Sequence, residues 1–148
     1  MLVTIFVLAA MSAAATQPLL EPWSALAGHC WAGPAPGGGT DTHCFESVYG
    51  GQHIRDRHSV TVDGRVVYSG ESLYSAAGPK VIFTYWNSLG GLGTGEAAIN
   101  GSKWTFSGTI HATAAGKEQP MNAVWIVSTD GYAVEDKPGT SRQFKRAD

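Results

Sequence analysis

The sequence predicts an all-β chain, closed into a single antiparallel up-and-down barrel of about eight to ten strands behind a short N-terminal helix or turn. Three observations carry this expectation. β-rich runs recur at hairpin spacing, with two-residue turn signals at Gly50-Gly51 and Asp63-Gly64 and another at Asn100-Gly101. The 148 residues contain 19 Gly, 5 Trp, 5 Tyr and 5 Phe but only 15% charged residues, a balance that suits turns and pleated walls better than amphipathic helices. No long helical period is present, and closure into a barrel removes the exposed edges that so many short strands would leave. A two-sheet sandwich is the alternative architecture.

Residues 1–15, MLVTIFVLAAMSAAA, are apolar, uncharged and too short to span a bilayer, and they end in small residues. They are expected to be a secretory signal peptide, which leaves 16–148 as the barrel domain with no stable membrane span after cleavage. The protein is then periplasmic or extracellular. Export places Cys30 and Cys44, the only two cysteines, in an oxidising compartment where they are expected to pair. Closing a loop of that size stabilises by about 3 kcal/mol in the chain-entropy picture. The formal net charge of −2 and the lack of a basic stripe argue against nucleic acid as a partner. No second cysteine pair or zinc-type ligand spacing is present, so neither a metal nor a cofactor is expected from motifs.

Pro18–Ala27 reads as the entry helix or turn, and Gly28–Trp31 opens the first strand with Trp31 inward and Cys30 outward. Gly33–Asp41, GPAPGGGTD, reads as a loop. Thr42–Tyr74 reads as three strands joined by the Gly50-Gly51 and Asp63-Gly64 turns. The first turn sets His43 opposite His58, Phe45 opposite Asp56, Glu46 opposite Arg55 and Cys44 opposite Arg57. The second sets Val60 opposite Val67, His58 opposite Ser69 and Asp56 opposite Glu71. Because side chains alternate between faces, His43, Phe45, Ile54, Asp56, His58, Val60, Val67, Ser69, Glu71 and Leu73 share one face, which is taken as inward. Glu46, Arg55, Arg57 and Tyr68 then face water. Lys80–Asn87 is a further strand with Val81, Phe83 and Tyr85 inward. Ser88–Gly95 reads as a glycine-rich turn and Thr94–Asn100 as a short strand. Lys103–His111 puts Trp104, Phe106, Gly108 and Ile110 inside, Gln119–Ser128 brings in Trp125, and Tyr132–Glu135 with Thr140–Arg146 completes the sheet.

The inward face mixes aromatic groups with histidines and carboxylates. Ionised carboxylates are seldom buried without partners or water, so this lining points to a polar, partly wet cavity. His43, Phe45, Asp56, His58, Glu71, Tyr85, Trp104 and Trp125 are the expected ligand-contacting residues. The first functional expectation is a binder of a small hydrophobic or amphipathic molecule. The second is a barrel enzyme of isomerase or lyase type, in which facing carboxylates share a proton beside a histidine base. No nucleophile elbow or other catalytic motif supports it. The third is a haem or metal held by His43 and His58.

The segments LAGHCWAG, CFESVYGGQHIRDRH, GESLY, YWNSLGG and the basic end SRQFKR make the chain resemble the lipocalin-like (calycin) barrels, and among them the uncharacterised exported bacterial lipocalin-like domains. Gly28 and Trp31 are separated by two intervening residues where the lipocalin signature has one. The resemblance implies a closed barrel with a ligand cavity, and an arginine near the end, Arg142 or Arg146, packed on the motif tryptophan.

Overall fold

A computed structural model describes residues 17–148. The expected signal peptide, residues 1–15, lies outside them. Ten strands follow a 3-10 helix, Pro18–Ala25. They are β1 (His29–Pro34), β2 (Thr40–Val48), β3 (His53–Val62), β4 (Arg65–Ala77), β5 (Lys80–Asn87), β6 (Gly90–Asn100), β7 (Lys103–Thr113), β8 (Glu118–Ser128), β9 (Gly131–Lys137) and β10 (Thr140–Arg146). Each strand pairs antiparallel with its sequence neighbours, and β1 pairs with β10, so the sheet is a closed up-and-down barrel with no free edge.

The β2–β3 register is the one the sequence implies: His43 pairs with His58, Phe45 with Asp56 and Glu46 with Arg55. The turn reaches that register differently. Its tight turn closes from the Gly51 N–H to the Val48 carbonyl, 3.2 Å, and the central residues are Tyr49 and Gly50, at φ 52° and 66°. Positive φ at both positions is what this mirror-image turn needs. Gly51 and Gln52 are the two additional residues before the first strand pair, Val48 with His53, and they bring the strands back into step.

The β3–β4 register departs from the expectation. Val62 pairs with Arg65 and Thr61 with Val66, but a bulge follows, and Val60 pairs with Tyr68 rather than Val67. One unpaired residue shifts every later side chain of β4 by one position, and with a period of two that exchanges the faces. Tyr68, Gly70, Ser72 and Tyr74 therefore turn inward. Asp56 faces Ser72, and Glu71 faces Arg57 on the outer wall. The expected inward placement of Val67, Ser69, Glu71 and Leu73 is thus reversed.

A second correction concerns β6. Gly90–Gly95, read as a turn, is strand, and only Ser88 and Leu89 connect it to β5. Glycine suits the wall here because bulk on that face would collide with its neighbours: a Cβ at Gly95 would lie 2.6 Å from the Phe83 ring. Thr40 and Asp41, expected in the loop, begin β2.

The helix plugs one end of the barrel. A 3-10 turn has three residues, so Leu20, Trp23 and Leu26 line up on one side, and all three are fully buried. Trp23 packs on Tyr74 and Trp104, with ring centroids 5.0 and 4.8 Å apart. Trp31 joins this core, and its indole N–H donates to the Leu26 carbonyl at 3.0 Å. The guanidinium that lies over Trp31, 5.9 Å from the ring centre, belongs to Arg146.

Cys30 and Cys44 are directly opposed on β1 and β2 and form a disulfide. The bond closes a loop of sequence separation 14, so its removal acts mainly on the unfolded chain. Cys30→Ser with Cys44→Ser should lower unfolding free energy by about 3 kcal/mol in denaturant titrations while leaving the far-ultraviolet spectrum unchanged. A loss near zero would show that the closed barrel already restrains the β1–β2 connection.

Candidate functional site

Away from the plugged end, the barrel holds a cavity of about 270 Å³. One wall is apolar, with Phe83, Phe106, Ile110, Met121 and Trp125, while Phe144 packs against His43 and Arg142. The other is polar, with Asp41, His43, Asp56, His58, Tyr85 and Arg142. Asp41 and Asp56 are only 5% and 3% exposed, so each needs partners to remain ionised.

Those partners form one connected chain. His43 Nδ1 lies 2.8 Å from Asp56 Oδ2, and its Nε2 lies 3.3 Å from Asp41 Oδ2. With a carboxylate at each nitrogen, the ring is an imidazolium that donates both ways. His58 Nδ1 donates to Asp41 Oδ1 at 3.0 Å, which leaves Nε2 to accept from the Tyr85 hydroxyl at 3.2 Å. The Tyr68 and Tyr85 hydroxyls form a short hydrogen bond. The two imidazoles stack with centroids 4.6 Å apart and planes 17° from parallel, the direct result of the His43–His58 pairing. Arg142 completes the group. Its Nη1 is 3.6 Å from Asp41 Oδ2 and donates to the Pro34 carbonyl at 3.2 Å, while Nη2 is 3.1 Å from Asp136 Oδ2. The donor atoms of Asp41, His43 and His58 all lie within 4.8 Å of one another.

The electrostatics follow from this packing. Burial alone would drive the proton off His43, but the Asp56 charge and the hydrogen bonds to both carboxylates outweigh it and raise its pKa from 6.5 to about 10. Burial likewise opposes ionisation of Asp41, and the His43 and His58 hydrogen bonds overcome it, holding the carboxyl well below its ordinary value. Burial is the main reason that the Tyr74, Tyr85 and Tyr132 hydroxyls are pushed up, so they stay protonated.

Of the eight side chains expected at a ligand site, His43, Asp56, His58, Tyr85 and Trp125 meet at this cavity. Phe45 and Trp104 do point inward, but they lie beneath it in the packed core, against Trp125 at 6.0 and 6.3 Å. Glu71 is outside, displaced by the β4 bulge. Three members of the polar group were not expected. Asp41 is hidden in a stretch that reads as loop, and Tyr68 is turned inward by the same bulge. Arg142 reads as a partner for a tryptophan, whereas its guanidinium lies 5.4 Å from the Phe144 ring centre. Gly70 was the available signal. A glycine inside a strand marks a close approach, and a Cβ there would lie 2.5 Å from His58 Nε2 and 2.6 Å from the Tyr85 hydroxyl.

These features define a closed ten-stranded antiparallel barrel that is calycin-like in outline. It is similar to the crystal structure of Rv2717c from M. tuberculosis, with TM-score 0.61 and 15% identity, over 90% of this chain and 100% of that one. At such identity the likeness concerns the fold alone. No family model matches the chain, and no curated protein matches it.

Two outcomes test the site's construction. A folded-state pKa raised above 6.5 means that His43 contributes stability in full below about pH 6.5 and loses it as pH climbs toward 10. A depressed Asp41 contributes above its ordinary 3.8 and loses this as pH falls below it. Unfolding free energy should therefore be greatest between about pH 4 and 6.5 and decline above that by at most about 1.4 kcal/mol per pH unit for this one proton. His43→Gln should flatten the alkaline limb in urea titrations, and an unchanged limb would remove His43 as its source. Gly70→Ala forces bulk between His58 and Tyr85, so it should destabilise by about 1–3 kcal/mol. In the same variant the His58 ring resonances should shift, and unmoved resonances would contradict the close packing.

Proposed function

We propose that the protein is an exported, lipocalin-like carrier of a small amphipathic molecule, held in the cavity lined by β2 to β5 and β7 to β10. The observation that carries this reading is the division of the cavity into an aromatic wall and a hydrogen-bonding wall within about 270 Å³. Ligand pockets combine apolar surface with a few fixed polar groups, and typical ones occupy roughly 300–1,000 Å³. A volume just under that range suits a compact ligand. Its apolar part would rest on Phe83, Phe106 and Trp125, and its polar end would meet Tyr85, His58 and Arg142. The Cys30–Cys44 disulfide is consistent with an oxidising compartment, in keeping with the apolar leader read from residues 1–15. No helix among the described residues is long and apolar enough to cross a membrane.

Binding is favoured over catalysis by the state of His43. Both of its nitrogens are engaged by carboxylates, so the ring has no free lone pair with which to remove a proton from a substrate.

Native mass spectrometry of the exported protein, followed by thermal shift with a panel of small amphipathic compounds, tests this reading. A bound species should appear, and at a hundredfold excess over Kd it should stabilise by about 2.7 kcal/mol. Trp125→Ala and Tyr85→Phe should weaken that shift, whereas Glu71→Ala on the outer wall should leave it intact. A protein that carries nothing and responds to no member of the panel would refute the carrier function.

A further inference from the structure

We infer that Asp41, His43 and His58 form a binding site for one divalent transition-metal ion, of the zinc, cobalt or nickel type, on the wall of the cavity. The inference stands on geometry and does not depend on the organic ligand proposed above.

The Asp41 carboxylate lies between the two rings, with Oδ2 3.3 Å from His43 Nε2 and Oδ1 3.0 Å from His58 Nδ1. The candidate donor atoms of all three residues fall within 4.8 Å of one another. A four-coordinate ion with bonds of about 2.0–2.2 Å spaces its ligands roughly 3.4 Å apart, so small ring rotations bring the three donors to one centre. All three residues line the cavity, which leaves the remaining position open to water or a ligand. Two imidazoles and one carboxylate are the donors that such ions prefer, and sites of three protein ligands plus one open position are common for them.

The nitrogens that face away from this centre supply the second observation. His43 Nδ1 is held by the buried Asp56 carboxylate at 2.8 Å, and His58 Nε2 is held by the Tyr85 hydroxyl at 3.2 Å. Metal-bound histidines almost always have their other ring nitrogen fixed in this manner, which sets the tautomer and aims the lone pair. On binding, His43 releases its Nε2 proton to solvent and keeps Nδ1–H on Asp56. The His58 proton moves from Nδ1 to Nε2 and is donated to Tyr85, whose own hydroxyl turns to Tyr68. Arg142 is the competing cation, 3.6 Å from Asp41 Oδ2, and it retains Asp136 and the Pro34 carbonyl when the ion enters.

Titration of the chelator-treated full chain with Co(II), followed by its visible absorption, tests the site. Saturation is expected at a single equivalent per chain, with displacement by Zn(II). Asp56→Asn, which leaves the three ligands in place, should weaken binding roughly 10–100-fold, and His58→Gln and Asp41→Asn should weaken it further. Should these buried substitutions unfold the protein, ring ¹⁵N shifts in the wild-type chain give the answer: Zn(II) should move His43 Nε2 and His58 Nδ1 but leave His29 and His111 unmoved. Absence of saturable binding overturns the inference, and so does binding that moves only the surface histidines. The amphipathic panel is screened on the metal-free protein, so failure here leaves the carrier reading standing and success does not establish it.

Discussion

Two carboxylates inside a barrel impose the constraint around which the polar half of this structure is built. Asp41 and Asp56 are almost wholly removed from water, and neither can stay charged there without positive or hydrogen-donating neighbours. One ring, His43, satisfies both. It can do so because β2 and β3 pair in the register that sets His43 beside His58 and brings the Asp56 carboxylate within reach of Nδ1. His58 and Arg142 then share the remaining capacity of Asp41, and Tyr85 and Tyr68 extend the chain of hydrogen bonds to β4 and β5. Such a network has value only when complete, since removing one member strands a buried charge.

The barrel is consequently divided along its length. At the helix end, Trp23, Trp31, Trp104 and Leu20 are buried together as a packed core. At the other end, the polar group occupies one wall and aromatic side chains the other, and the space between them is the cavity. Phe45, Trp125 and Tyr132 lie at the junction, with Trp125 and Tyr132 stacked 5.0 Å apart. The plug supplies apolar burial, and the other half holds the buried charges. The outer Glu46–Arg55 pair, with both side chains more than a third exposed, adds little to either.

The contrast between the two hairpins shows where reasoning from the chain succeeds. Around Gly50-Gly51 the turn slips by one residue, yet Gly51 and Gln52, both added on one side, restore the strand register, so the His43–His58 and Phe45–Asp56 pairs are correctly anticipated. Around Asp63-Gly64 the turn itself is as expected, but the bulge beyond it is not. Val66, Val67 and Tyr68 are all good strand residues, and nothing in their chemistry says which one is left unpaired. That single insertion sends Glu71 out and Tyr68 in. Asp41 was obscured for another reason. Its neighbours are glycines, prolines and threonines, a loop composition, and only the ladders to β1 and β3 make it part of a strand.

What the chain determines by itself is local. Turn residues set hairpin positions, alternation sets the faces wherever pairing is unbroken, and the only two cysteines are readable as a pair. The register of β1 on β10, the β4 bulge and the approach of Arg142 to Asp41 were decided only in the folded barrel. These depend on groups far apart in sequence competing for the same space and the same buried charge, and no local pattern encodes the outcome of that competition.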